Sequence, residues 1–250
     1  MIEILPHDIR MGSPEKGPTA TNTPCQKLSL AIILCLGIPC NLSAGELAVF
    51  SNPGLVVFRS EGQIQGYYSA LEAGRSCEFF FNTHSQVSWP ATRGQVNSAE
   101  IGTFALGLGE RKHSQRNSDF YISGVIKNNA DEWSIQTDVE PPGCGGGVGV
   151  FSKNTGLPPF RFFEKSTFRG KGIRVVNGKT YLYNKIKGRL SKRKEYLTEN
   201  DIVSVISDGG GYSNIRYVNP DYFVVPAGKV TIGWVRTRDL VDPFPPMSRP

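Results

Sequence analysis

Short runs of β-branched and aromatic residues recur about every ten residues from residue 47 onwards, separated by clusters of Gly, Asn, Asp and Pro. Residues 132–139 (EWSIQTDV) alternate between apolar and polar positions, which is the period of a half-buried strand. The runs at residues 63–69 and 77–81 are close enough in sequence to pair as a hairpin. No helix longer than a turn or two is predicted after residue 44. The pattern predicts an all-β chain whose N-terminal part is an antiparallel β sandwich or barrel.

Composition and charge divide this β-rich chain into two parts. The stretch at residues 168–172 (FRGKG) has the composition of a linker. Residues 45–168 carry 10 Lys/Arg against 12 Asp/Glu, a net of −2, whereas residues 169–242 carry 14 against 7, a net of +7. We therefore predict two domains, residues 45–168 and residues 173–242, followed by a tail at residues 243–250. The positive charge of the second domain would attract polyanions.

An apolar stretch near the N-terminus has the three parts of a secretory signal. Lys27 precedes the apolar residues 28–39, and the small residue Ala44 marks the expected cleavage point. The apolar stretch is too short to span a bilayer comfortably. We therefore expect residues 1–44 to be a lead and signal peptide. The mature protein would be periplasmic or secreted, with no stable membrane span after signal cleavage.

The cysteines support the same compartment. Cys25, Cys35 and Cys40 lie in the lead and signal, which leaves Cys77 and Cys144 in the mature chain. In an oxidising compartment this pair, 67 residues apart, is predicted to form one disulfide. The bridge could add about 3–5 kcal/mol of stability by restricting the unfolded chain. Two cysteines without a nearby His do not indicate a metal site.

The second domain contains a set of short strand and turn motifs. Residues 180–183 (TYLY) and residues 233–235 (GWV) are typical of strands, and the glycines at residues 209–211 are typical of a turn. Together with residues 195–203 (EYLTENDIV), these motifs resemble bacterial SH3-like domains. The resemblance covers residues 173–242 and implies a small SH3-like barrel.

The resemblance also implies a binding role. Domains of that family commonly serve as targeting or binding modules, often toward cell-wall material, with aromatic side chains in a surface groove. Carried over position by position, the candidate ligand-binding residues are Tyr181, Tyr183, Tyr212 and Trp234. The chain departs from the family pattern at Tyr212, where many relatives have Trp, and at an insertion spanning residues 219–228. The alternative is that Trp234 and one of the tyrosines belong to the core.

The strongest run of charge is residues 185–194 (KIKGRLSKRK), which contains no acidic residue. In an SH3-like fold this run is the long loop between the first strands. A basic loop could contact phosphate-bearing wall polymers, anionic lipid or an acidic protein partner, or it could simply be a solvated loop. Nucleic acid is the usual first hypothesis for such a run, but an exported protein rarely meets it. The basic residues of this predicted loop are Lys185, Lys187, Arg189, Lys192, Arg193 and Lys194.

The chain offers few groups for catalysis. After residue 44 the histidines are His84 and His113, both in polar segments, so a Cys144 nucleophile would lack an evident base. No Gly-x-Ser-x-Gly motif occurs. The glycines at residues 145–147 are not followed by a helix, unlike those of a dinucleotide or phosphate loop. We therefore predict that the protein is not an enzyme and holds neither a cofactor nor a metal.

These observations lead to one main functional hypothesis and one alternative. The main hypothesis is an exported, non-enzymatic binding protein of the bacterial envelope, whose second domain recognises peptidoglycan, another envelope polymer or an envelope protein. The alternative is a periplasmic inhibitor or immunity protein that neutralises a cell-wall-attacking enzyme. Its plug would be the loop at residues 82–98 or the loop at residues 141–147, the latter rigidified by the disulfide. A structural role of the disulfide, fastening two strands, stays open beside this one.

Overall fold

The computed structural model describes most of the chain after the predicted signal. The described part is all-β, as predicted, with two antiparallel sheets joined by turns and single 3-10 turns. The predicted signal peptide, Trp89 and most of the predicted insertion lie outside the described residues. The described ranges are residues 45–72, 74–86, 96–107, 109–220 and 229–246.

The first sheet is a closed eight-stranded barrel in which each strand pairs with the next along the chain. The first strand closes the barrel by pairing with the eighth, where Leu47 lies opposite Phe168. The hairpin predicted from residues 63–69 and 77–81 is β3–β4, in which Tyr68 lies opposite Phe79. The strands are β1 Gly45–Phe50, β2 Leu55–Ser60, β3 Gln63–Glu72, β4 Arg75–Thr83, β5 Val96–Phe104, β6 Ile122–Asn129, β7 Glu132–Thr137 and β8 Arg161–Gly170.

Large aromatic side chains fill the barrel interior. Trp133 and Tyr68 are buried, and Phe50 meets Trp133 edge to face with ring centroids 5.8 Å apart. Such aromatic pairs add about 0.5–1.5 kcal/mol beyond the burial of their area. Room for these rings depends on Gly66, because a Cβ there would collide with the ring of Phe81 on the facing strand. The barrel interior is therefore a packed core.

The predicted disulfide joins Cys77 of β4 to Cys144, with the two Cα atoms 4.4 Å apart. Cys144 belongs to the Gly-rich segment at residues 141–147, which follows β7. Beyond it, the carbonyl oxygen of Val148 accepts a hydrogen bond of 2.7 Å from the hydroxyl of Tyr68, and Val148 and Phe151 pack into the barrel core. The disulfide and these contacts hold the segment against the barrel.

The second sheet has seven strands in the order β11-β10-β14-β13-β12-β9-β15. The three-glycine turn predicted at residues 209–211 connects β12 to β13, and Gly210 and Gly211 both have positive φ there. A 3-10 turn, Thr237–Asp239, follows β14. The strands are β9 Gly172–Val176, β10 Thr180–Ile186, β11 Arg189–Leu197, β12 Ile202–Gly209, β13 Tyr212–Val218, β14 Val230–Arg236 and β15 Leu240–Val241.

The predicted basic loop at residues 185–194 is wrong as a loop. It forms the end of β10, a two-residue turn and most of β11. Lys187 and Gly188 have φ of 48° and 80°, and two positive φ values in succession close a tight hairpin whose twist matches its strands. No buried apolar residue alternates with the long cationic side chains. The run therefore lacks the apolar–polar alternation from which a strand is predicted. The residues concerned are Lys185, Lys187, Arg189, Lys192, Arg193 and Lys194.

The two faces of the second sheet pack against different partners. One face forms a separate core that includes Leu182, Val203 and Val235. On the opposite face, Ile173 and Val175 of β9 pack into a core shared with barrel residues. The barrel ends at Gly170 and the second sheet begins at Gly172, but this shared core joins the two sheets. The predicted division into two domains stays a prediction.

The start of the predicted C-terminal tail belongs to the fold. Phe244 is buried, with its ring centroid 5.7 Å from that of Phe80 and 6.0 Å from that of Phe104. The segment after β15 therefore returns to the barrel surface and closes the shared core. A lone aromatic among prolines carries no strand or helix period, so the sequence pattern did not reveal this contact.

Candidate functional site

The four aromatic residues predicted to bind ligand lie on one face of the second sheet. Leu182 of β10 is buried in the sheet's own core, so its neighbours Tyr181 and Tyr183 point to the opposite face. Trp234 of β14 lies directly opposite Tyr183, and Tyr212 of β13 lies 5.3 Å from Tyr183 between ring centroids. All four rings are half-buried. Trp234 belongs to none of the buried core clusters, contrary to the alternative that it packs inside.

A fifth aromatic residue, Tyr196 of β11, extends this row. It lies directly opposite Tyr181, their ring centroids are 6.0 Å apart, and it is 49% exposed. Sequence reasoning missed Tyr196 as a site residue. The sequence signal for Tyr196 is the apolar residue Leu197 beside it. Leu197 is buried in the core of the sheet. Adjacent residues of a strand point to opposite faces, so Tyr196 points to the outer face.

Cations lie over these rings. The Nζ of Lys185 is 4.1 Å from the ring centroid of Trp234, and the Nζ of Lys192 is 3.3 Å from that of Tyr181. Lys179 places its Nζ 4.0 Å from the ring centroid of Tyr196. We call this surface the aromatic–cationic face; its members are Tyr181, Tyr183, Tyr196, Tyr212, Trp234, Lys179, Lys185, Lys192 and Arg236.

Arg236 belongs to the aromatic–cationic face because it interacts with two of its tyrosines. A hydrogen bond with Tyr212, followed by interactions with Tyr183, raises the pKa of the Arg236 guanidinium above its usual value. Within the described chain, no carboxylate forms an ion pair with Lys179, Lys185 or Lys192. The face is therefore positively charged, and its cations are held by rings and hydroxyls rather than by acids.

The other predicted basic residues differ in their surroundings. Arg193 donates a 3.0 Å hydrogen bond to the carbonyl oxygen of Ile232 and forms an ion pair with Glu195 at 2.9 Å. The hydrogen bond from Arg193 lowers the pKa of the exposed Glu195 carboxyl. Arg193 therefore ties β11 to β14 rather than facing a ligand. The remaining three, Lys187, Arg189 and Lys194, are exposed to solvent.

The residues considered for catalysis have structural partners. His84 Nε2 lies 3.0 Å from the hydroxyl of Tyr121, and His113 packs against Phe104 with ring centroids 4.8 Å apart. Glu140, an acidic residue just before the Gly-rich segment, accepts hydrogen bonds on its carboxylate from the backbone N–H groups of residues 151 and 152. In the part of the chain that the structure describes, no group of three or more His, Cys, Asp or Glu is placed to hold a metal ion.

Three comparisons with known proteins give no identification. Neither a protein-family model, a curated protein nor a solved structure matches this chain. The resemblance of residues 173–242 to SH3-like domains therefore stays a prediction from its motifs. The described residues include no helix with the length and hydropathy needed to cross a membrane.

Proposed function

We propose that this is an exported, non-enzymatic binding protein that recognises peptidoglycan or another anionic polymer of the bacterial envelope through the aromatic–cationic face. The observation that carries the proposal is the row of aromatic rings on β10, β11, β13 and β14 with lysine ammonium groups over them. The resemblance of residues 173–242 to SH3-like binding modules, which implies a binding role, supports the same assignment.

The face combines the two chemistries that such a polymer requires. Rings of Tyr and Trp offer flat apolar surfaces with polar ends, against which sugar rings can lie. Lysine ammonium groups attract carboxylate and phosphate groups through their charge, and several on one face raise the local concentration of a polyanion. Neither chemistry needs a catalytic group or a metal.

The disulfide supports export. A bond between Cys77 and Cys144 persists in oxidising compartments, whereas cytosolic thiols are kept reduced. The same surface chemistry would suit single-stranded nucleic acid, which also stacks on aromatic rings in a basic groove. An exported protein meets wall polymers more often than nucleic acid, so the envelope polymer is the favoured ligand.

Co-sedimentation with purified peptidoglycan sacculi tests the proposal. Trp234→Ala should weaken retention by about tenfold, the magnitude expected from losing one stacking ring. Replacing both Lys185 and Lys192 by Gln should also weaken retention and reduce its sensitivity to salt. The matched controls are Phe120→Ala, an exposed aromatic in the 3-10 turn before β6, and the double change Lys127→Gln and Lys165→Gln on barrel strands.

The controls should behave like the wild-type protein. Equal retention of all variants, or no retention of the wild type at low salt, would contradict the proposal. A single-stranded oligonucleotide added as competitor separates the two polymer classes. If it displaces the protein from sacculi at a lower concentration than soluble wall fragments do, the face is a nucleic-acid site and the envelope assignment is wrong.

A second candidate function rests on the Gly-rich segment after β7. The disulfide anchors this segment to β4, while Pro142, Gly146 and Gly147 remain exposed. An anchored, exposed segment suits an inhibitor or immunity protein that blocks the cleft of a wall-attacking enzyme, because little ordering entropy is then lost on binding. The test is whether the protein slows clearing of sacculi by a lytic enzyme and whether Pro142→Arg abolishes that effect. Clearing at an unchanged rate would remove this candidate.

A further inference from the structure

A cleft lies between the barrel and the second sheet, and none of its lining residues belongs to the aromatic–cationic face. Its volume is about 250 Å³, slightly below the range of about 300–1,000 Å³ typical of sites for drug-sized ligands. A molecule the size of an amino acid is therefore the matching occupant. The barrel contributes Val56, Tyr67 and Glu78 to its lining, and the second sheet and its loops contribute Asp201, Arg216 and Val218.

Arg216 is the unusual group in this lining. It is half-buried, and burial lowers the pKa of its guanidinium below the usual value. Among the described residues, its side chain has no hydrogen-bond or ion-pair partner. Burial weakens the hydration of this cation, although the guanidinium nitrogens of Arg216 still reach solvent. A ligand carboxylate would replace that water, since the guanidinium fork matches carboxylate geometry.

The carboxylate of Glu78 faces the same cleft and is fixed in place. It accepts a hydrogen bond of 2.8 Å from the hydroxyl of Tyr67 and one of 2.9 Å from the hydroxyl of Ser76. Burial, and then the charge of Glu78, raise the pKa of Tyr67 well above its usual value, so this phenol stays a neutral donor. An ionised carboxylate has about four lone-pair positions, so Glu78 keeps capacity for a further donor.

Asp201 has less capacity left than Glu78. It accepts hydrogen bonds from the backbone N–H and the hydroxyl of Thr198, at 2.6 and 3.1 Å, and from the hydroxyl of Tyr217 at 3.1 Å. Burial, and then the charge of Asp201, raise the pKa of Tyr217, so this phenol also stays a donor. Asp201 therefore contributes negative charge to the cleft, while Glu78 is the better acceptor for a ligand.

We propose that this cleft binds a small zwitterion of the amino-acid class, with its carboxylate on Arg216, its ammonium group on Glu78 and an apolar side chain against Val56 and Val218. A purely anionic ligand would satisfy Arg216 but would meet the negative charge of Glu78 and Asp201. A purely cationic ligand would meet the positive charge of Arg216. Only a molecule with both charges matches the lining, and this site does not depend on the aromatic–cationic face.

Calorimetric titration of the disulfide-bonded protein with three related probes tests the inference. The probes are leucine, N-acetylleucine, which lacks the ammonium charge, and leucinamide, which lacks the carboxylate. Leucine should bind with a saturable isotherm. Each of the other two should bind about tenfold or more weakly, because hydrogen bonds to charged groups are among the stronger ones. No saturable binding of leucine at millimolar concentrations, or equal binding of all three probes, would overturn the inference.

Two variants and one control assign the contacts. Arg216→Gln should abolish leucine binding. Glu78→Gln keeps an acceptor for Tyr67, and it should weaken the affinity for leucine to that of the wild type for N-acetylleucine. Arg238→Gln removes the same charge from a side chain that is 76% exposed, and it should bind leucine like the wild type. Thermal melting checks that each variant is folded. Leucine binding that survives both cleft substitutions would show that the site lies elsewhere, which contradicts the inference.

Discussion

Trp234 and Lys185 belong to neighbouring strands, and the lysine Nζ lies 4.1 Å from the indole ring centroid. An exposed cation–π contact of this kind contributes about 0.5–1 kcal/mol. Because this contribution is small, a carboxylate or phosphate group of a ligand can attract the ammonium group and leave the ring face open for stacking. In our proposal, each lysine of the aromatic–cationic face protects a ring in the free protein and contacts the polymer in the complex.

The disulfide between Cys77 and Cys144 should stabilise the folded protein. Replacing Cys77 and Cys144 together by Ala should lower the free energy of unfolding by about 3–5 kcal/mol, because the unfolded chain regains the freedom of a long loop. Denaturant unfolding monitored by fluorescence measures the change, and the wild-type protein under reducing conditions is the control. A double variant as stable as the oxidised wild type would show that the bridge does not support the barrel.

His113 should make the stability of the folded protein depend on pH. Burial, and then the charge of nearby Arg116, lower the pKa of His113 below its usual value. The folded protein therefore favours the neutral ring, whereas the unfolded chain takes up a proton near pH 6.5. This contribution to stability is present above about pH 6.5 and is lost as the pH falls through the lower folded-state pKa.

The melting temperature should accordingly fall more on acidification for the wild type than for His113→Gln. Melting curves at about pH 7.5 and pH 5.5, on either side of the unfolded-state value, measure the difference. Equal decreases in the two proteins would contradict the role assigned to this ring.

At the scale of elements, the β10–β11 hairpin depends on its two-residue turn. Lys187 has φ of 48°, a left-handed conformation that Asn adopts more readily than Lys. Lys187→Asn creates an Asn-Gly pair, the preferred sequence for such a turn, and should raise the melting temperature by a few degrees. Gly188→Ala should lower the melting temperature, since φ there is 80°. Changes of the opposite sign in thermal melting would show that a different turn forms in solution.

Much of the element pattern could be predicted, because local periodicity reports local strands. The alternation in residues 132–139 corresponds to β7, and the pair of runs at residues 63–69 and 77–81 corresponds to the β3–β4 hairpin. Closure of the barrel could not be predicted this way. Leu47 and Phe168 are far apart in the chain, and their pairing depends on the twist accumulated over all the intervening strands.

The candidate site was only partly predictable for a related reason. Tyr181, Tyr183, Tyr212 and Trp234 could be selected by position, but their contacts with cations depend on which strands become neighbours. β10 pairs with β14 although β11, β12 and β13 lie between them in the chain. Arg216 gave no sequence signal, because a single arginine in a strand reveals neither its partial burial nor whether another described residue pairs with it.

At the scale of the whole molecule, the shared core predicts that the two sheets unfold together. Ile173 of the second sheet packs with Phe58 and Tyr67 of the barrel. The two described tryptophans report on different sheets, since Trp133 lies in the barrel and Trp234 in the second sheet. Variants that retain one of these tryptophans should therefore give coincident unfolding curves, the signature of a single cooperative transition.

Ile173→Ala should shift both curves by the same amount, corresponding to about 2–5 kcal/mol. Two separate transitions, with only the Trp234 curve shifted by Ile173→Ala, would contradict the cooperative account. They would instead support the two independent domains predicted from the sequence.

The contact that we propose between the aromatic–cationic face and an envelope polymer can be observed at a single ring. The most direct measurement is the indole N–H signal of Trp234 in NMR spectra during titration with solubilised peptidoglycan fragments. Trp133 is buried in the barrel and serves as an internal reference. If the face binds the fragments, the Trp234 signal should show a saturable shift or broadening while the Trp133 signal stays constant. Binding of the fragments with an unchanged Trp234 signal would contradict the proposed contact.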